Sequence, residues 1–126
     1  MKKEAIFSNK LPKSAGPFSP AIRTEEFVFI SGQIGQDPAT GALVSGGIEQ
    51  QAEQAFVNLS HVLSASGKTF NDIVRVGVYL TDMKKFATMN AIYAKYFTEP
   101  YPARTTIAVA ALPLGAEFEI DAVARI

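Results

Sequence analysis

The chain has 126 residues, the length of one ordinary domain, so we predict a single domain over residues 1–126. Its 12 Lys and Arg residues balance 12 Asp and Glu residues, and the lack of a basic excess argues against nucleic acid or an anionic membrane as a partner. The absence of cysteine excludes disulfides, thiolate ligands and cysteine nucleophiles, and one histidine cannot form a metal site built from several imidazoles.

The first third of the chain combines loop and strand patterns. Residues 8–22 are rich in Ser, Pro, Gly and Lys and predict a loop, while residues 5–7 leave open an extra short strand. The β-branched and aromatic segment 27–32 predicts a strand, and a turn-rich connection over 35–47 follows it. The chain starts with charged residues but lacks an apolar signal-peptide core or a run long enough to span a bilayer. We therefore expect a soluble, cytoplasmic protein.

Two helices and three further strands are predicted in the rest of the chain. Apolar residues at helical spacing predict a helix over 48–66, and alternation predicts a strand over 72–80. A second helix over 83–98 and two final strands, at 104–111 and 117–124, follow. The predicted order is β-β-α-β-α-β-β, which indicates an α+β domain with both helices on one face of a mixed sheet.

The face of the sheet that the helices leave uncovered mixes small and charged residues. It is predicted to carry Arg75, Gly77, Tyr79, alternate residues of the 104–111 strand, Glu117, Glu119 and Asp121. Burial in a closed homo-oligomer would explain this mixture, and an ordinary solvated sheet face explains it about as well.

Three polar side chains are candidates for chemistry. Arg104 begins a strand directly after Pro100-Tyr101-Pro102-Ala103, and its planar guanidinium matches a carboxylate or phosphate, although such an arginine is more often a surface charge or a structural ion pair. Glu119 could orient or deprotonate a water, or simply belong to a solvated acidic edge. Asn90 lies on the apolar side of the second helix, where a structural hydrogen bond to backbone is expected.

Two other features are open to more than one interpretation. Ser31 and Gly32 end the first long strand, where glycine would let a ligand approach the backbone, although a simple turn explains them equally well. His61 falls on the polar flank of the first helix and is expected to be solvated. The sequence contains no phosphate-binding loop and no serine-nucleophile motif.

The spacing of the last two strands bears on how a site is assembled. If they pair as a hairpin about the turn at 113–115, Glu119 lies opposite a residue near Val109. Arg104 is then about five residues further along, which is ~17 Å at ~3.4 Å per residue. Arg104 and Glu119 could then share a small substrate only if neighbouring subunits contribute one each.

Five segments together resemble one known family. They are GPFSPA at 16–21, SGQIG at 31–35, DMKKFATMNAIYAKYF at 82–97, PARTTIAVAALP at 102–113 and EFEIDAVA at 117–124. These segments are similar to the reactive intermediate deaminase family, in its RidA-like (YjgF) branch. The resemblance implies a homotrimer of chorismate-mutase-like domains with active sites between subunits. It also implies hydrolysis of 2-imino acids such as 2-iminobutanoate and 2-iminopropanoate to 2-keto acids and ammonia, without metal or cofactor.

The resemblance assigns roles to residues of this chain. It implies that Arg104 binds the substrate carboxylate, that Glu119 handles the water, and that Asn90, Ser31 and Gly32 complete the substrate site. Because a nearby arginine lowers the pKa of a carboxyl group, we expect Glu119 to position the water and relay a proton, and not to act as a strong base.

Two positions depart from the family pattern. The usual tyrosine of the GPYSQ-type loop is Phe18 here, so a phenol hydroxyl is missing from the substrate site. The cysteine often found two residues after the arginine is Thr106. Phe18 leaves open a second function, a non-catalytic regulatory module that binds a small carboxylate. A ribonuclease is disfavoured by the zero net charge and single histidine, and a chorismate mutase by the need of its dianionic substrate for several cationic groups.

Overall fold

The computed structural model describes residues 2–126 and contains one mixed sheet with two helices packed on one face. The elements are β1 Glu4–Ile6, β2 Ala21–Arg23, β3 Phe27–Gln33, α1 Ile48–Ala65, β4 Ile73–Leu80, α2 Phe86–Tyr93, β5 Ala103–Ala108 and β6 Phe118–Arg125. Short 3₁₀ helices span Phe70–Asp72, Met83–Lys85 and Pro113–Gly115. The strand order is β1-β2-β3-β6-β4-β5, with β4 and β5 parallel and the other neighbours antiparallel. The predicted α+β architecture is confirmed.

The core lies between the sheet and the helices. The apolar stripe of α1 is buried, and Phe56 at its centre is stacked on Tyr96 with 4.3 Å between ring centroids. Alternate residues of β4 and β6 point to this side: Val76 and Val78 on β4, and Phe118, Ile120, Ala122 and Ala124 on β6, are all buried. The period-2 alternation that predicted β4 therefore separates a core face from an uncovered face.

Two predicted boundaries need correction, and one open prediction is confirmed. A short strand, β2, begins inside the range predicted as loop, because a three-residue strand carries too little alternation to be recognised. The second helix ends at Tyr93, not at residue 98. Residues 5 and 6 of the open amino-terminal strand do belong to β1.

The predicted hairpin between the last two strands is wrong. β4 lies between them and pairs with β5 on one side and with β6 on the other. The connection over residues 109–117 is long enough to cross the end of β4, whereas a tight hairpin turn is shorter. The turn at residues 113–115 led to the prediction of a hairpin because the sequence of such a turn does not show whether the strands on either side of it pair with each other.

The uncovered face has nearly the predicted composition. Gly77 pairs with Asp121 and with Thr105, and Tyr79 pairs with Glu119 and with Ile107. Glu117 does not belong to this row. It precedes β6, and its carboxylate accepts a hydrogen bond from the Gln51 side chain of α1 at 3.3 Å. Within residues 2–126, no helix is long and apolar enough to cross a membrane.

Candidate active site

Arg104 is held against α2 on the helix side of β5. Its Nη1 donates a hydrogen bond to Asn90 Oδ1 at 2.9 Å, and the guanidinium carbon lies 4.6 Å from the centroid of the Tyr93 ring and 5.7 Å from that of Phe86. Phe86, Asn90 and Tyr93 are spaced by four and three residues, so they share one face of the helix. The predicted hydrogen bond from Asn90 to backbone is wrong, since its carbonyl oxygen accepts from Arg104.

The surroundings of Arg104 position its charge without neutralising it. An amide oxygen and two aromatic faces attract a guanidinium but carry no formal charge. Among residues 2–126, the salt bridges within 4.0 Å join Lys95 to Glu53 and Arg125 to Asp72, and none involves Arg104. The structural ion pair considered from the sequence is therefore not seen. The half-buried guanidinium keeps donors for an external anion.

Thr106 lies on the same side of β5 as Arg104, two residues further along. Its Oγ1 is buried and has no hydrogen-bond partner within the described chain. A buried hydroxyl without a partner is unusual, because desolvation of the group then goes uncompensated. Arg104, Asn90 and Thr106 thus form one cluster at the β5 edge, which we call the arginine half-site.

A second cluster surrounds Glu119 on the other side of the molecule. Phe18, Ser31, Gly32 and Glu119 all line one cavity of about 480 Å³, which we call the glutamate cavity. Ser31 donates its hydroxyl to Ser19 O at 2.7 Å and its backbone N–H to Pro20 O at 2.9 Å. These bonds fix the segment that carries Phe18 beside the end of β3.

Gly32 allows the Glu119 carboxylate to lie directly against the β3 backbone. A Cβ at position 32 would overlap Glu119 Oε2 and Cδ. Any other residue would therefore displace the carboxylate. Phe18 is 55% exposed at the cavity, so its ring contributes apolar surface to the opening instead of filling the core.

Burial raises the pKa of the Glu119 carboxyl, and the negative charge of Asp121 raises it further. Asp121 in turn accepts a hydrogen bond from the Tyr79 hydroxyl at 2.9 Å, which raises the pKa of Tyr79. Within one chain, no arginine of residues 2–126 lowers the pKa of Glu119, because Arg104 belongs to the other cluster. The expectation that Arg104 does so in a site shared between copies stays a prediction.

The two clusters lie on opposite faces of the sheet. Phe118 and Ile120 point into the core, so Glu119 between them points away from the helices. Arg104 points toward α2 and is in register with the buried Val76. One small molecule cannot contact both side chains within one chain. The hairpin geometry from which two contributing copies were predicted is wrong, and a site shared between copies stays a prediction that the positions of the two clusters favour.

Some residues around these clusters were not recognised as site residues. Leu11, Pro20 and Leu114 line the glutamate cavity, and Phe86 and Tyr93 flank Arg104. The helical spacing of Phe86, Asn90 and Tyr93 was a usable signal, but it did not tell which strand the helix would face. Among residues 2–126, no group of three or more His, Cys, Asp or Glu side chains could hold a metal ion.

Comparison with known proteins identifies the family. A family model described as Endoribonuclease L-PSP matches residues 8–126. A RutC family protein of Pyrococcus horikoshii is 47% identical over 122 residues, which cover 97% of each chain. The human 2-iminobutanoate/2-iminopropanoate deaminase is 44% identical over 97% of this chain and 89% of its own length. A crystal structure of E. coli TdcF with bound serine has a TM-score of 0.91 and 32% identity, covering 98% of both chains.

These matches define a small α+β protein of the RidA/YjgF type. The chain belongs to the family described as Endoribonuclease L-PSP, and the resemblance seen in its motifs is thereby confirmed.

Proposed function

We propose that the protein hydrolyses 2-imino acids, including 2-iminobutanoate and 2-iminopropanoate, to 2-keto acids and ammonia in the cytoplasm. The observation that supports this most directly is Arg104, a half-buried cation that Asn90 and aromatic rings position and that forms no salt bridge within the described chain. Every 2-imino acid carries a carboxylate that a guanidinium can bind through two parallel hydrogen bonds. The name of the human relative and the serine bound to TdcF are consistent with a small ligand of this kind.

The proposed active form is a homotrimer, in which the arginine half-site of one copy meets the glutamate cavity of the next. This assembly is supported by the position of the two clusters on opposite faces of the sheet. It is also supported by large apolar side chains on the uncovered face, where Phe29 is 47% and Ile107 is 44% exposed. A closed oligomer would bury such residues and complete each site at the same time.

In the proposed reaction, water adds to the carbon of the C=N bond and the nitrogen leaves as ammonia. Arg104 holds the substrate carboxylate and so fixes the distance from the imine carbon to Glu119. Glu119 orients the attacking water, accepts a proton from it and returns a proton to the nitrogen, which its raised pKa favours. The second proton needed to release ammonia comes from the hydroxyl of the tetrahedral adduct as its C–N bond breaks, so one water is consumed, one ammonia leaves and C=N is replaced by C=O.

The remaining predicted residues have supporting roles in this proposal. Gly32 leaves room for the carboxylate of Glu119, and Ser31 holds the Phe18 segment in place. Thr106 offers its unpartnered hydroxyl to the substrate beside Arg104. Because Phe18 lacks a hydroxyl, water near the cavity opening is held by fewer polar groups than the family tyrosine would provide.

An alternative function uses the same two clusters without turnover. A regulatory module that binds a small carboxylate would also need Arg104 and an enclosed cavity, but it would not need Glu119 beside a water. The nuclease activity named in the description of the family is not proposed, because the chain has no net charge and a single histidine.

Turnover of a freshly made imine tests the proposal. A threonine dehydratase generates 2-iminobutanoate in situ, and release of the keto acid is followed with and without the protein. We expect the wild type to accelerate release and Arg104→Ala to lose roughly 100-fold or more in kcat/KM, since bidentate binding is lost. Arg125→Ala is the matched control, because Arg125 is an exposed arginine that pairs with Asp72 and lines neither cluster. A folded, trimeric wild type without any acceleration would favour the binding module.

A further inference from the structure

The glutamate cavity has an apolar wall. Its lining includes Leu11, Phe18, Pro20, Ile34, Pro113 and Leu114, whereas Lys13 and Glu119 are its only charged side chains within the described chain. Cavities of this composition bind the apolar part of a small molecule and orient it with a few polar groups. The polar groups of a 2-imino acid are accounted for by Arg104 and Glu119, so this wall is left for the side chain of the substrate.

The conformation and exposure of Leu114 indicate that the apolar wall contacts a ligand. Leu114 has a φ of 58°, which lies in the left-handed region, and it is the single non-glycine residue with positive φ in residues 2–126. Glycine or asparagine would adopt this conformation more readily. The Leu114 side chain is 61% exposed, so the core does not use it. A large apolar side chain at a position that suits neither its backbone nor the core is expected where it contacts a ligand.

The size of the cavity also favours a substrate with a large apolar side chain. In one chain the cavity has about 480 Å³, within the range of small-molecule sites, before the neighbouring copy proposed above covers its opening. The methyl or ethyl group of 2-iminopropanoate or 2-iminobutanoate would contact only a small part of its apolar wall. A branched or aromatic side chain would displace water from the apolar wall. The absence of a hydroxyl on Phe18 keeps the opening apolar as well.

Resting on the deaminase function proposed above, we propose that the glutamate cavity receives the substrate side chain and that the protein prefers 2-imino acids with larger apolar side chains. The class comprises the imines of leucine, methionine and phenylalanine, as opposed to those of alanine and 2-aminobutanoate. Uncharged polar side chains are disfavoured because they would lose hydration against this wall.

The expected preference follows from the area removed from water. Each methylene moved onto an apolar wall improves kcat/KM by about fourfold. The leucine-derived imine has three more carbons than the alanine-derived one, and the cavity is open on one side, so we expect roughly a tenfold higher kcat/KM.

A substrate series tests this preference. An L-amino-acid oxidase, with catalase present, generates each imine in situ, and a semicarbazide trap reports how much imine escapes hydrolysis. The ratio of kcat/KM for the leucine-derived and alanine-derived imines is measured in wild type, Leu114→Gly, Leu114→Met and Val57→Ala. Leu114→Gly relieves the left-handed conformation, so it is expected to fold as well as the wild type.

The four proteins should differ in a defined way. The ratio is expected to fall at least threefold in Leu114→Gly, to recover in Leu114→Met, and to stay at the wild-type value in Val57→Ala, whose exposed residue lies on α1 away from the cavity. Equal kcat/KM for the two imines in the wild type, or a ratio that Leu114→Gly leaves unchanged, overturns the preference while the deaminase function stands.

Binding of the stable products separates the two proposals. In calorimetry, 4-methyl-2-oxopentanoate should bind about tenfold more tightly than pyruvate. The reason is that each keto acid has the same side chain as the corresponding imine and makes the same contacts with the cavity. If that order holds but no imine is hydrolysed, the deaminase function fails and the side-chain preference of the cavity survives. If the order is absent and no imine is hydrolysed, both proposals are overturned.

Discussion

Glu119 shows how one residue can acquire useful chemistry from its position in a strand. It alternates with Phe118 and Ile120, which are fully buried, so its side chain must emerge on the opposite face. There, Gly32 lets it lie close to the β3 backbone, and burial together with Asp121 raises the pKa of its carboxyl. A carboxylate that binds a proton more readily is better suited to pass one from water to an imine nitrogen.

This raised pKa leads to a prediction about the pH dependence of kcat. Glu119 must be ionised to accept a proton from water, so activity is lost as the pH falls through its pKa. In the substrate complex the bound carboxylate neutralises Arg104, so the effect of burial remains, and the acid limb of kcat is expected above the ordinary carboxyl value of 4.5. In the free trimer an unneutralised Arg104 would lower the same pKa, so the limb of kcat/KM should lie at lower pH. Initial rates between pH 4 and pH 8, with imine supplied by an amino-acid oxidase, measure both limbs.

The control for this prediction is a pair of isosteric changes. Glu119→Gln is expected to remove the acid limb together with most of the activity, whereas Glu25→Gln, on the exposed turn before β3, should leave the profile unchanged. An acid limb that persists at the same pH in Glu119→Gln would assign the titration to another group.

At the scale of elements, the contact between α2 and β5 makes Arg104 available. The helix presents Phe86, Asn90 and Tyr93 on one face, and β5 brings Arg104 against that face because it runs parallel to β4 at the sheet edge. The helix follows β4 and is the crossover that a parallel pair requires. The same connection that forms the sheet edge therefore also provides the support for the arginine.

Changes at Asn90 test whether it positions Arg104. Asn90→Ala removes one hydrogen bond to a charged group and is expected to raise KM roughly tenfold with a smaller effect on kcat. Asn90→Asp keeps the acceptor but adds a negative charge that pairs with Arg104 and competes with the substrate carboxylate, so its KM should rise further. Steady-state kinetics on 2-iminobutanoate give the two parameters separately.

The matched control is Asn71→Asp, an exposed asparagine whose side chain is hydrogen-bonded to Thr98. It should keep the wild-type KM and melting temperature. If Asn90 had only a structural role, Asn90→Asp would lower the melting temperature, and its KM would not exceed that of Asn90→Ala. That result would contradict the proposal that Asn90 positions Arg104.

The limits of sequence analysis appear most clearly in the last two strands. Helix α1 and strand β4 could be predicted because helical spacing and alternation are local properties of the chain. The insertion of β4 between β5 and β6 could not, since it depends on pairing between residues distant in sequence. The same holds for the site. The type of Arg104 and the type and face of Glu119 were readable, but the face of Arg104, the helix against it and the cavity around Glu119 needed the strand order.

At the scale of the whole molecule, the placement of the two clusters on opposite faces of the sheet leads to the prediction that the proposed catalysis requires assembly. Arg104→Ala destroys one half of each composite site and Glu119→Gln destroys the other, so each variant alone should form inactive trimers. When the two are mixed by co-expression or joint refolding, some interfaces combine an intact arginine half-site with an intact glutamate cavity. For random mixing of equal amounts, about a quarter of the sites should be native, and activity should return to about a quarter of wild type.

The mixing experiment also distinguishes this arrangement from its alternatives. If both residues acted within one chain, every chain in the mixture would lack one of them, and no activity would return at any ratio. Mixing either variant with Arg104→Ala,Glu119→Gln double-variant chains controls for nonspecific rescue, because no interface then combines both intact halves. The recovered activity should also follow the product of the two variant fractions, with its maximum at equal amounts, because each native site needs one chain of each kind. A linear dependence on either fraction would show that one variant is active alone, and the proposed division of the site between neighbouring copies would then be wrong.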